Sequence, residues 1–242
     1  MNKLLSTLFA LAVAGATGLA QAQTPAASAP AAAPAVPSAP ADAPPSPTHA
    51  KSLEAKVAMC VGCHGIKGYQ ASFPEVHKVP MISGQNAKYI AAALNAYKTG
   101  DRKHPTMRGI ADSLSEQDIA DIAAYYEQHG AGGPKVASGR GSATPSPQVA
   151  ALLNKAACAS CHGADMSTPI DPSYPKLAGQ HADYLFVALK AYKTENNAAV
   201  GRNNGVMGAI AKQFSNAELK ALANYMSGLP GDLRTIPESR FR

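Results

Sequence analysis

The pentapeptide Cys60-Val61-Gly62-Cys63-His64 returns 98 residues later as Cys158-Ala159-Ser160-Cys161-His162, and no other feature constrains the fold so tightly. The repetition extends well beyond the cysteines. Pro80, Gly84, Gln85, Tyr89, Leu94 and the run Ala96-Tyr97-Lys98-Thr99 reappear as Pro175, Gly179, Gln180, Tyr184, Leu189 and Ala191-Tyr192-Lys193-Thr194, at an offset of 95. Met107, Ile110, Ala111, Ser115 and Tyr125 reappear as Met207, Ile210, Ala211, Ser215 and Tyr225, at an offset of 100. The order is kept while the offsets drift by a few residues, as expected for two copies of one domain with small loop insertions.

Composition shifts mark where the copies begin and end. Lys3, the apolar stretch Leu4 to Leu19 and the Ala20-Gln21-Ala22 site read as a secretory signal peptide over residues 1–22. The stretch is short for a membrane span, which needs roughly 20 apolar residues. Residues 23–50 hold 11 Ala and 8 Pro; proline removes donors and fixes φ, so this stretch reads as an extended, disordered tether. A second break, Gly130 to Pro147, carries five Gly and three Pro. The expected order is domain 1 over 51–130, a linker over 131–147, domain 2 over 148–230 and an extension over 231–242.

Each copy reads as helical. The patterning predicts helices near 51–61 and 148–159, 86–99 and 182–194, and a last helix after each of Ser115-Glu116-Gln117-Asp118 and Ser215-Asn216-Ala217-Glu218, which resemble capping boxes. Ile119, Ile122 and Tyr126, like Leu219, Leu222, Ala223 and Met226, keep the three-and-four spacing of a buried helical face. Gly130 and Gly228 stand where a helix would stop. No segment alternates convincingly as a strand, and the stretches before the last helices, Met107 and Met207 included, read as irregular loops. Copies under 100 residues with such long patternless stretches have thin cores, and domains that small often need a bound group as a staple. There is no Trp and only 6% aromatic residues, which argues against a large aromatic-rich catalytic core. A net charge of +6 without a dense Lys/Arg block gives no footprint for nucleic acid.

C-x-x-C-H names the staple. Two thiols at this spacing add across the two vinyl groups of haem as thioethers, and the adjacent His lies under the iron. Cys60, Cys63, Cys158 and Cys161 are thus the candidate attachment points of two haem c groups, with His64 and His162 as proximal ligands. One four-thiolate zinc site would leave both His residues and the duplicated remainder unexplained. A dithiol redox pair wants a βαβ setting that is absent. Either Met or a second His can complete such an iron. Of the seven Met residues only Met107 and Met207 keep register between the copies, 43 and 45 residues beyond their His; they are the candidate sixth ligands. His77, His129 and His181 have no His counterpart. Neither has His104, which aligns with Asn204 but stands three residues before Met107 as the one competing ligand.

With these motifs the chain resembles the class I cytochromes c, and more closely the tandem dihaem cytochrome c-four family, over residues 51–230. The resemblance implies an all-α fold of two cytochrome c-like domains, each wrapped around one covalent haem. It implies that the carbonyls of Pro80 and Pro175 accept a hydrogen bond from His64 and His162. It further implies an electron carrier, not an enzyme, exported to the periplasm. The expected donor is a quinol-oxidising complex or dehydrogenase, the expected acceptor a membrane-bound terminal oxidase of a respiratory chain, with loose membrane association and no nucleic acid. The alternative is a dihaem subunit of an enzyme complex such as a flavocytochrome c sulfide dehydrogenase. A third reading, an enzyme or gas sensor, requires an open iron position.

Overall fold

Side-chain caps decide where most helices begin. In a computed structural model, residues 52–139 and 143–238 are described and belong to one compact unit; the predicted signal peptide and tether lie outside them. Ser52 accepts from the Ala55 amide and starts α1 (Leu53–His64). Ser146, with Pro147 in the first turn, starts α5 (Pro147–Lys155). Both predicted capping boxes form: Ser115 with Asp118 starts α4 (Glu116–Gln128) and Ser215 with Glu218 starts α9 (Asn216–Gly228). Each satisfies two otherwise orphaned amides. Between these come α2 (Ala87–Thr99) and α3 (Pro105–Asp112) in the first half. The second half adds α6 (Ala159–His162), α7 (Ala182–Ala191) and α8 (Gly205–Ala211). None of the described helices is long and apolar enough to cross a membrane.

Four outcomes differ from expectation. The helix expected near 148–159 breaks after Lys155 and resumes at Ala159. Met107 and Met207 lie in short helices, α3 and α8, instead of irregular loops. Pro105 there is a helix opener in the first turn, where its missing amide is no loss. Gly228 is the last residue of α9 rather than its stop. Short strands do occur, though only two residues long: β1 (Gln70–Ala71) pairs with β2 (His77–Lys78), and β3 (Arg102–Lys103) pairs antiparallel with β4 (Gly201–Arg202).

Packing repeats the duplication. α2 lies mainly on α4, and α7 on α9. Val57, Ile90, Leu94, Leu114, Ile119, Ile122 and Tyr126 form one buried cluster in the first half. The second half divides its core among three smaller clusters, around Leu152 and Phe214, Met166 and Ala178, and Leu185 and Met226. Burying these side chains contributes about 1.5–3 kcal/mol for each large one.

The halves are joined by a symmetric exchange of amide hydrogen bonds. Gln85 donates to the Lys176 carbonyl at 3.1 Å and accepts from the Lys176 amide at 3.0 Å. Gln180 donates to the Met81 carbonyl at 2.9 Å and accepts from the Met81 amide at 3.0 Å. Each Gln side chain thus imitates a strand partner for one residue of the opposite half. Pairing of β3 with β4 adds a second link, Arg102 opposite Arg202. The segment after α9 supplies a third: Gly231 pairs with Val136, and the Arg234 amide donates to the Ser83 carbonyl at 3.1 Å.

Candidate functional site

Helical geometry puts Cys60 and Cys63 one turn apart on α1, with His64 beside them at its end. Cys161 and His162 sit likewise on α6, with Cys158 as its N-cap. No disulfide joins any of the four cysteines. These six residues, with Met107 and Met207, line a single cavity of about 740 Å³ that runs through both halves. Its wall includes Ile82, Ile90, Leu94, Leu185, Leu189 and Phe214. Protein interiors hold few voids larger than a water molecule, so an apolar cavity of this size is shaped for a large guest.

The two histidines are oriented alike. His64 Nδ1 donates to the Pro80 carbonyl at 2.8 Å, and His162 Nδ1 donates to the Pro175 carbonyl at 3.0 Å. A carbonyl only accepts, so the proton sits on Nδ1 and the Nε2 lone pair is left for a metal. Burial holds both imidazoles below their ordinary pKa, with the carbonyls opposing it. Burial also raises two of the sulfurs before any group is attached, Cys60 to about 11 and Cys158 above its ordinary value.

The methionines are held by paired caps. The Met107 amide donates to His104 Nδ1 at 3.3 Å, and the Met207 amide donates to Asn204 Oδ1 at 2.9 Å. His104 therefore does in the first half what Asn204 does in the second. Its ring also packs edge-on against Phe73, centroids 5.9 Å apart. Burial and the charge of His77 keep His104 below its ordinary pKa, which leaves Nδ1 free to accept. Two of the other lone histidines have partners too: His77 Nδ1 donates to the Glu75 carbonyl at 2.8 Å, and His129 meets Ser83 and Glu238. His181 stands at the N-cap of α7 with no side-chain bond to the helix. Met59, Met81 and Met226 also line the cavity, but Ala157, Lys176 and Tyr126 stand at the matching places of the other half, and Met166 is a core residue. Among the described residues no three His, Cys, Asp or Glu side chains gather as a metal cluster, so a four-thiolate zinc centre finds no support.

Two cavity residues escaped the sequence reading. Arg102 and Arg202, from β3 and β4, both line the cavity beside Tyr89, Tyr97, Tyr184 and Tyr192. The signal was present: the arginines recur at the same offset of 100 as the methionines, and the tyrosines at 95.

A thiol pair and a tautomer-locked His in each helical half, all opening on one apolar cavity, define a c-type cytochrome with two haem sites. The Cytochrome c family profile matches residues 51–130 and 148–230. "Cytochrome c4" of Thiocapsa roseopersicina is 32% identical over 186 residues, 73% of this chain and 90% of that one. A "Thiosulfate dehydrogenase electron acceptor" of Stutzerimonas stutzeri (strain A1501) is 31% identical over 70% of this chain and 78% of its own. The crystal structure of reduced recombinant cytochrome c4 from Pseudomonas stutzeri superposes with a TM-score of 0.55 at 30% identity, covering 73% of this chain and 96% of that one. The chain belongs to the cytochrome c family as a dihaem cytochrome c4, an electron-transfer protein whose two C-x-x-C-H motifs carry two covalent haem c groups.

Proposed function

We propose that His64 with Met107, and His162 with Met207, ligate the two irons. The chain then carries single electrons in a respiratory chain, from a quinol-oxidising complex or dehydrogenase to a membrane-bound terminal oxidase. The observation that carries this reading is the single cavity onto which both histidines and both methionines open. Bound haem supplies a one-electron change at iron with no bond made or broken. The protein's own residues do the rest. The Pro80 and Pro175 carbonyls hold the imidazoles in the ligating tautomer and raise their basicity. The His104 and Asn204 caps fix the helices that bear the methionines. Aliphatic walls exclude water, and thioether ligation favours the ferrous state. With a His and a Met each holding its iron, the bound haem would offer neither dioxygen nor a substrate a place on the metal.

The name of the Stutzerimonas relative favours a second reading of the donor, a thiosulfate dehydrogenase. On either reading the chain is exported to the periplasm by residues 1–22, with 23–50 as a tether, 131–147 as the linker, 231–242 as an extension, loose membrane association and no nucleic-acid partner. An optical redox titration of the holoprotein tests the ligands: two haems per chain, both showing the Met–iron charge-transfer band, and no rapid carbon monoxide binding when reduced. One haem per chain, or native-state binding of carbon monoxide at either centre, overturns the carrier reading. Reduction rates with thiosulfate dehydrogenase plus thiosulfate, set against a quinol-oxidising complex, separate the two donors.

A further inference from the structure

The repeated run Ala-Tyr-Lys-Thr places one lysine in each half, and the two make the same bond. Lys98 Nζ donates to the Leu114 carbonyl at 2.7 Å, and Lys193 Nζ donates to the Phe214 carbonyl at 2.6 Å. Both carbonyls lie just past the end of a methionine-bearing helix, since α3 closes at Asp112 and α8 at Ala211. The chain keeps winding there: the Leu114 amide donates to the Ala111 carbonyl at 3.1 Å, and the Phe214 amide to the Ala211 carbonyl at 3.2 Å. Leu114 and Phe214 are buried and line the cavity. Among the described residues no backbone amide donates to either carbonyl. Lys98 also lies 3.9 Å from the exposed Glu116 carboxylate, which is beyond hydrogen-bond reach.

A lysine is a costly tie for a turn, because holding its long stem forfeits rotamer freedom. The helix end makes the choice intelligible. The last carbonyls of a helix have no partner within it and carry partial negative charge, which favours a cation. A hydrogen bond from an ammonium is also stronger than a neutral one. Each lysine comes from a neighbouring element. Lys98 sits in the last turn of α2, which packs on both α3 and α4. Lys193 follows the end of α7, which packs on α9. At the opposite ends of α3 and α8, His104 and Asn204 take the Met107 and Met207 amides. These helices have only eight and seven residues, too few to be stable without such ties.

We propose that Lys98 and Lys193 are positioning residues that hold Met107 and Met207 against displacement, each for the haem of its own half. A molecule from solvent reaches an iron only after the methionine swings away, and loosening the far end of α3 or α8 makes that swing easier. The second half has a further tie, because Lys155 Nζ donates to the Gln213 carbonyl at 3.1 Å. Lys193 therefore supplies a smaller share of the hold than Lys98. The proposal rests on both methionines being ligands, which the methionine signals of the unsubstituted holoprotein check separately.

Imidazole titration of the ferric holoproteins tests it. Each haem is followed through the NMR signal of its own methionine methyl, assigned by its absence from the Met107→Ala or Met207→Ala protein. Lys98→Met keeps an apolar stem and loses the ammonium. It is expected to raise imidazole affinity about tenfold at the haem of the first half, and to leave the other within about twofold. Lys193→Met is expected to act on the haem of the second half alone, by about threefold, because the Lys155 bond remains. Lys98→Arg keeps a cationic donor and stays within about twofold of the unsubstituted protein. A role in general stability alone would shift the unfolding midpoint while both affinities stayed fixed or rose together, and either pattern overturns the proposal. An Arg variant as loose as Lys98→Met overturns it too. Should Lys98→Met not fold with two haems, Lys193→Met decides the question at the other centre.

Discussion

The two halves do the same work on different scaffolding. In the first, one unbroken helix carries Cys60, Cys63 and His64. In the second, the corresponding helix stops at Lys155, Ala157 turns to φ 48°, and a four-residue helix resumes with Cys161 and His162. Gly163, after the second His, adopts φ +81°, and a Cβ there would lie 2.0 Å from the Thr168 carbonyl oxygen. Asp165 then ties the turn by accepting from the Ser167 and Thr168 amides at 2.9 and 2.8 Å. Gly65, after the first His, keeps φ −90°. Cores differ as well, one continuous cluster against three small ones. Four features are nonetheless common to both: thiol spacing, an imidazole Nδ1 on a proline carbonyl, a side-chain cap before the methionine, and an arginine between tyrosines. These are the features that touch the cavity. Backbone routing is free to differ wherever it does not.

The largest effect that would break this equivalence is at the methionines. Met107→Ala is expected to remove the Met–iron band of one haem and shift its reduction equilibrium toward ferric on the order of a thousandfold, given the span that axial ligands control. The other haem should keep its band. Met207→Ala should do the reverse. Carbon monoxide binding by one reduced haem in each variant reads out the opened position. Full-strength bands surviving in the double variant would remove both methionines from the ligand set.

Much of this site was legible before any coordinates. C-x-x-C-H prescribes the thiol spacing through local geometry, and the common register of Met107 and Met207 singled them out from seven candidates. Capping boxes were readable because Ser at the cap and an acid three residues on is a local pattern. The helices under the methionines were not, because their caps are His104 and Asn204 and their first turns carry Pro105 and Gly205, residues that also punctuate loops. Gln85 and Gln180 were visible as a repeat, but their role depends on a peptide 91 and 99 residues distant. The placing of Arg102 opposite Arg202 was missed for the same reason. Its meaning lies in what surrounds each guanidinium across the interface, which no local spacing encodes.

Next in size is the glutamine exchange, where the halves are similar but unequal. Gln180 serves the buried backbone of Met81, whereas Gln85 serves the half-buried backbone of Lys176. An unpaired buried backbone group costs about 1–3 kcal/mol. Gln180→Leu strands both Met81 groups and also takes the acceptor from the His181 amide; it is therefore expected to lower holoprotein stability by about 3 kcal/mol, and Gln85→Leu by about 2 kcal/mol, because water reaches the Lys176 peptide. Denaturant unfolding of both variants checks the order. Equal losses would mean that the two peptides are equally dry.

The smallest difference is electrostatic and belongs to the first half alone. Lys56 reaches Asp118 at 3.0 Å and Asp121 at 2.5 Å, whereas the second half has Asn154 and Ala221 at the positions matching Lys56 and Asp121. Asp118 is held down to about 2, first by the Ser115 amide and next by Lys56. Its counterpart Glu218 is lowered mainly by Ser215. A carboxyl depressed on folding stabilises the native state above its ordinary value near 3.8, and that contribution disappears as pH falls toward 2. In Lys56→Met the Ser115 amide remains, so Asp118 should rise only part of the way from about 2 toward 3.8, with Glu218 unmoved. Carboxyl-carbon NMR of the reduced, diamagnetic protein over this acid range resolves the two groups. A shift at Glu218 as large as that at Asp118 would show that the lysine acts through the fold as a whole instead of through its own pair.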